Sequence, residues 1–170
     1  VVRRPRFDRS LFRFFRHLGP DGSQAVPEGR ILLREARPAP AAVREALGPD
    51  AGGEAIRLIR TRLLQGRPIL SEEIWLPAAR FAPLLEAPLT EIGDLLYPAY
   101  ERLCGEIVAR AEETLTVGIA DATDAERLGI AEGEPVVVIA RLAFGFDARP
   151  IEWRVTRGAA KDFRYHIDIR

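Results

Sequence analysis

Two arginines, Arg60 and Arg62, stand two residues apart in the run Ala55 to Leu64, which is otherwise rich in Ile, Leu and Thr. On an extended strand the side-chain period is two, so both guanidiniums leave one face while Ile59, Thr61 and Leu63 leave the other. Two guanidiniums side by side make a fork for a carboxylate or phosphate. In a partly closed cleft each such charge-assisted hydrogen bond is worth roughly twice a neutral one. Solvated or ion-paired strand surface is the other role open to the pair, and spacing alone does not choose between them. Other chemistry finds little footing. His17 and His166 stand apart, Cys104 is the single cysteine, and no catalytic triad or phosphate-binding loop is present, so neither a metal nor another cofactor is expected. Cys104 falls in a helical pattern, where a small buried apolar role is expected rather than a reactive thiol.

The arginine fork needs a rigid support. The runs Ala55 to Leu64 and Ile69 to Leu76 flank Gln65-Gly66-Arg67-Pro68 and read as a β-hairpin. Upstream, Arg30 to Arg37 reads as a strand and Ala41 to Leu47 as a short helix stopped by Gly48. Downstream, Pro77 to Leu85 and Asp94 to Leu103 carry helical spacing, the second ending at Gly105. Glu106 to Ala120 alternates and predicts a strand. Asp121 to Glu126 opens a helix, with Thr123 and Glu126 in capping-box spacing and Leu128-Gly129-Ile130 closing it. Three further strands are expected at Pro135 to Phe144, Pro150 to Thr156 and Phe163 to Ile169, the first two joined by the turn Gly145 to Arg149. Short helices inserted into an antiparallel meander give an α+β fold class: an antiparallel β-sheet with flanking short helices.

At 170 residues the chain fits one domain, able to bury a core without a disulfide or metal. The 25 basic and 25 acidic residues cancel, so no whole-molecule field draws it to nucleic acid or an anionic membrane. No apolar run reaches the length of a membrane span. Residues 1–17 interleave Arg3, Arg4, Arg6, Arg9, Arg13 and Arg16 with Phe7, Phe12, Phe14 and Phe15. A nucleic-acid contact is one use of such a segment. A linker whose aromatics dock while its arginines stay wet is the reading preferred here, with residues 18–170 forming the domain. The free thiol and missing signal peptide suit a reducing cytoplasm.

Several segments together resemble a known family. The hairpin carries Ile59-Arg60-Thr61-Arg62, Gly66-Arg67-Pro68, Glu72 and Trp75-Leu76-Pro77. Leu96-Tyr97 then precedes Gly105, Ala125-Glu126-Arg127-Leu128-Gly129-Ile130 precedes Gly133-Glu134-Pro135-Val136, and Arg141 leads to Arg149-Pro150-Ile151-Glu152. In this order and spacing the set resembles the effector-binding (UTRA) domain of GntR-family, HutC-type transcription regulators. The resemblance implies a chorismate lyase-like fold, a homodimer, and a winged helix-turn-helix domain upstream through which alone DNA would be bound. It also implies a small-molecule effector, expected here to be an anionic metabolite.

By the same resemblance Glu72 and Glu152 match positions that accept hydrogen bonds from the effector, and Tyr97 matches a Ser-Leu-Tyr segment that helps hold phosphate. Here that segment reads Leu95-Leu96-Tyr97, which shifts the expectation from a sugar phosphate toward a carboxylate. Many relatives carry a tyrosine six residues after the second glutamate, where this chain has Gly158. Arg154 shares the face of Glu152 and is a candidate replacement, or else an exposed strand arginine. Tyr165 resembles part of the closing motif and reads as core or pocket wall. Trp75 and Trp153 alternate away from the two glutamates and are expected as core or interface anchors. A chorismate lyase-like enzyme acting on a small carboxylate is the alternative function, and the regulator-like segments weigh against it.

Overall fold

The central hairpin follows from its turn. In the computed structural model, which describes residues 26–163, β2 (Glu54–Leu64) and β3 (Arg67–Pro77) are joined by Gln65 and Gly66 alone. Both turn residues have positive φ, 52° and 76°. Two consecutive left-handed residues make the primed turn whose twist matches that of the flanking strands, and glycine takes its half of the turn without steric cost. Arg67 and Pro68, expected within the turn, belong to β3.

On one side β1 (Glu28–Pro38) pairs with β2. On the other side β3 pairs with β6 (Pro150–Ala159), β6 with β5 (Pro135–Phe144), and β5 with β4 (Arg110–Ile119). The six strands among the described residues form one sheet in the order β1-β2-β3-β6-β5-β4, antiparallel throughout. Two three-stranded meanders thus meet at the β3–β6 seam, where Ile74 lies opposite Arg154 and Glu72 opposite Thr156.

The expected α+β architecture is present. Four short helices in the β3–β4 connection cover one face, here the front: α2 (Ala78–Phe81), α3 (Pro83–Glu86), α4 (Leu89–Ile92) and α5 (Leu96–Ala99), the last running into a π-helical turn Tyr100–Cys104. They bury Phe81, Leu84, Ile92, Leu96 and Tyr100 against Ile56, Leu58, Ile74, Leu76 and Ile151. Each such side chain contributes about 1.5–3 kcal/mol on leaving water. On the back face, α1 (Ala41–Leu47) packs Val43 and Leu47 with Ala55 and Trp75, and α6 (Ala122–Leu128) lies against β3 and β6.

Several expectations need correction. The helix expected over Pro77 to Leu85 divides before Pro83, which lacks the N–H that an unbroken helix would use there. The strand expected from Glu106 begins at Arg110, because Gly105 has φ 70° and turns the chain back before the ladder starts. The capping box of α6 is made by Asp121 and Asp124 rather than Thr123 and Glu126: Asp121 accepts from the Asp124 N–H at 2.8 Å. Cys104 is half-buried, and burial pushes its thiol upward from the usual range. Residues 1–17, proposed as linker, lie outside the described residues, as do Tyr165 and all but the first residue of the strand expected over Phe163 to Ile169. No described helix is long and apolar enough to cross a membrane.

Candidate functional site

Arg60 and Glu72 are direct cross-strand partners on β2 and β3, so their side chains leave the front face side by side. The Arg60 guanidinium meets one carboxylate oxygen of Glu72 through Nη2 at 2.6 Å and Nε at 2.7 Å. Its Nη1 donates to the Asp94 carbonyl at 3.2 Å, tying the hairpin to the front helical layer. The other Glu72 oxygen takes Arg154 Nη1 at 3.2 Å across the seam. Arg154 Nη2 continues to Glu152 at 2.7 Å. These groups are almost wholly buried, Arg60 being 1% exposed and Glu152 0%.

A bulge in the β5–β6 ladder, where Ala143 faces Glu152 but Phe144 faces Pro150, lets Ile151 enter the apolar front core beside Glu152. Glu152 accepts from Tyr100 Oη at 2.7 Å and Tyr97 Oη at 3.2 Å. Tyr97 Oη in turn accepts from Arg141 Nη1 at 2.9 Å. Arg141 pairs with Glu113, its register partner on β4. The network therefore crosses the sheet from β2 to β4.

The electrostatics follow from burial and pairing. Desolvation alone would push the Glu72 carboxyl up, but Arg60, then Arg154 and Arg62, hold it down at about 2. Burial, then the adjacent Glu152 carboxylate, pushes the Tyr97 phenol up to about 12, and the same two causes push Tyr100 well above the usual phenol range. Arg154 loses hydration, yet Glu152 and Glu72 more than restore its charge and raise it.

Arg62 differs. It shares the face of Arg60, as the period of two requires, but its Nη2 reaches only the Pro27 carbonyl at 3.0 Å. Burial, then the repulsion of Arg60, lowers it to about 10. Its Nε and that of Arg154 are buried donors with no hydrogen-bond partner among the described residues. Of the four guanidiniums Arg60, Arg62, Arg141 and Arg154, three are ion-paired with Glu72, Glu113 and Glu152, whereas Arg62 feels the Glu72 and Asp94 carboxylates only through space.

The structure thus brings Arg60, Glu72, Tyr97, Glu152 and Arg154 into one bonded cluster and sets Arg62 on the same face. Arg154, left open as an exposed strand arginine, is a buried bridge between the two glutamates. Glu72 and Glu152, expected as acceptors for an effector, have their oxygens engaged by arginines and tyrosines of the chain itself. Tyr100 was missed as a site residue, although its spacing of three from Tyr97 places both on one helical face. Arg141 and Glu113 were missed as site members because their pairing depends on the β4–β5 register. Trp75 is a core residue, and Trp153 is half-buried beside the α1 cluster.

Residues 22–164 match the UTRA domain. Two relatives are HTH-type transcriptional regulators. One from Mycobacterium tuberculosis is 27% identical, the match covering 85% of this chain and 53% of that protein. The other, from Rhizobium meliloti, is 28% identical over 99% of this chain and 64% of that protein. The chain thus spans between half and two thirds of the length of these relatives. Among solved structures, the ligand-binding domain of a protein described as a GntR-family transcriptional regulator from Bordetella bronchiseptica superposes with a TM-score of 0.78 at 28% identity, covering 94% of this chain and 99% of that one. The C-terminal domain of the histidine utilization repressor from Pseudomonas syringae shares the fold, with a TM-score of 0.74 at 15% identity over 84% of this chain and 98% of that one. The chain belongs to the UTRA domain family.

Proposed function

We propose that the front-face cluster is the effector site and that it takes a small organic anion, a carboxylate in preference to a sugar phosphate. The observation that carries this reading is Arg62: a largely desolvated guanidinium with no carboxylate partner, beside a second free donor on Arg154. An anion binding there gives the Arg62 guanidinium an ion-pair partner and both donors an acceptor, so part of the cost of burial is recovered on binding. Leu95 supports the carboxylate. Half-buried at the N-cap of α5, where the resembling segment has its serine two residues before the tyrosine, it offers no hydroxyl to a phosphate.

In this reading the fragment acts within a longer regulator. It forms a symmetric homodimer, senses the anion in the bacterial cytoplasm, and modulates DNA binding by a winged-helix half attached upstream, through a linker over residues 1–17. It is not an enzyme. Proton transfer at neutral pH needs a group poised near neutrality, whereas burial and pairing drive Glu72, Tyr97 and Tyr100 away from it.

The experiment is a thermal-shift screen of organic acids, amino acids and sugar phosphates on the wild type and on Arg62→Ala. A ligand at about a hundred times its Kd stabilises by roughly 2.7 kcal/mol. Stabilisation by a carboxylate that vanishes in Arg62→Ala is expected; equal stabilisation of both proteins would place the ligand elsewhere.

A further inference from the structure

The back face of the sheet carries a separate concavity of about 360 Å³. Its floor is the outward set of β3 and β6, including Ser71, Trp153 and Val155, and one wall is α6 with Thr123 and Arg127. The alternation that sends Glu152 and Arg154 to the front sends Trp153, Val155 and Arg157 to the back, so the sheet itself separates this cavity from the arginine–glutamate cluster.

Most of the charge lining the cavity is already matched. Arg57 Nε holds Glu73 at 3.0 Å. Arg157 reaches both oxygens of Asp124, at 2.9 and 2.8 Å through Nε. Asp121 is used as the cap of α6. Five lining residues are left over, the exposed Thr123 of α6 among them. Arg127, half-buried in the last turn of α6, has no carboxylate partner among the described residues. Ser71 is only 5% exposed, and its hydroxyl makes no hydrogen bond among the described residues. The Trp153 indole and Val155 are half-buried and offer an apolar surface. The volume is that of a small-molecule pocket, about 300–1,000 Å³.

We propose that this back-face cavity is a second binding site, for a small aromatic carboxylate. The single free guanidinium matches one negative charge, held bidentately. Ser71 and Thr123 supply hydroxyl donors beside it. The flat ring of the ligand lies on Trp153 and Val155, which a bare inorganic anion would leave uncovered. A doubly charged phosphate would bring one charge more than Arg127 can compensate.

Benzoate is the probe, titrated into the isotopically labelled 170-residue chain. The indole N–H signals of Trp75 and Trp153 are told apart with Trp153→Phe. The expected result is a saturable shift of the Trp153 signal, weakened at least about ten-fold by Arg127→Ala or Arg127→Gln and unchanged by Arg62→Ala. Benzyl alcohol, which has the ring without the charge, and inorganic phosphate, which has charge without the ring, are each expected to bind at least about ten-fold more weakly. Three results would overturn the proposal. One is a Trp153 signal unmoved by benzoate, as when a second copy of the chain fills the cavity. Another is full affinity in both Arg127 variants. The third is a response abolished by Arg62→Ala, which would assign benzoate to the front cluster.

Discussion

Arg60 and Glu72 face each other across the β2–β3 ladder with 2.6 Å between Nη2 and the carboxylate, and neither side chain is more than 4% exposed. A pair so deeply buried is a liability as soon as one member is removed, because the survivor keeps its desolvation cost without its partner. Glu72→Gln is expected to cost about 3–5 kcal/mol, since Arg60 and Arg154 both lose their shared counter-charge. Urea denaturation checks this, and a loss below about 1 kcal/mol would mean that water reaches the pair. By the same reasoning Arg60→Ala is a poor test of ligand binding, as it leaves the buried Glu72 carboxylate with Arg154 as its remaining partner. Arg62, with no carboxylate to strand, is the cleaner probe.

The same carboxylate sets an acid limit on stability. In the folded chain Glu72 titrates at about 2, below the ordinary 4.5, so between these values the unfolded chain binds more protons than the native one. Its contribution is complete above pH ~5, declines as pH falls, and is gone below about 2. At the alkaline end the sign reverses. Tyr97 holds its proton to about 12, while the unfolded phenol releases it near 10, so stability falls as pH rises through that window. Denaturation midpoints measured from pH 2 to 6 are expected to rise more steeply for the wild type than for Glu72→Gln, and those from pH 9 to 11 to fall less steeply for Tyr97→Phe. Parallel curves in either pair would remove that group from the explanation.

How much of this was legible in the sequence depends on the range of each interaction. The β2–β3 hairpin and the whole of β5 could be read from local alternation and turn residues, because strand periodicity and turn chemistry are encoded within a few positions. The placement of Arg60 and Arg62 on one face follows from the same period. What could not be read was partnership across the sheet. Arg154 meets Glu72 only because β6 inserts beside β3, and Arg141 meets Glu113 only in one register of β4 against β5. At α6 two overlapping capping patterns competed, and the aspartate pair prevailed by starting the helix two residues ahead of the Thr123–Glu126 alternative.

That cap can be tested directly. Asp121 accepts from the Asp124 N–H, and the Asp124 carboxylate receives the Asp121 N–H at 3.3 Å while also holding Arg157. Asp121→Ala removes one half of this arrangement and is expected to cost about 1 kcal/mol. Asp124→Ala is expected to cost more, since it breaks the box and also frees Arg157 from its carboxylate. Equal losses in the two variants, by thermal or urea denaturation, would assign the ion pair no net value.

Gly158 stands on the front face of β6, where the family resemblance led to the expectation of a tyrosine. A Cβ added there would lie 2.9 Å from Leu70 Cδ2 and 3.0 Å from the Ile69 carbonyl oxygen. Leu70, 6% exposed, fills the space that a side chain at 158 would need. One obstacle is a movable methyl group and the other is backbone, so relief is only partial. Gly158→Ala is expected to destabilise by about 1–3 kcal/mol through overpacking. Leu70→Ala alone opens a cavity and costs about 2–5 kcal/mol. Because Leu70→Ala removes the methyl half of the clash, the two losses are expected to add to less than their sum, with a coupling of about 0.5 kcal/mol or more in a double-mutant cycle. Full additivity would mean that the Ile69 carbonyl alone excludes a side chain. The consequence for the candidate site is chemical: Leu70 closes this part of the front face with carbon where the resemblance implied a hydroxyl, so under the proposed function an effector finds no donor there and draws its polar contacts from the Arg62 and Arg154 side.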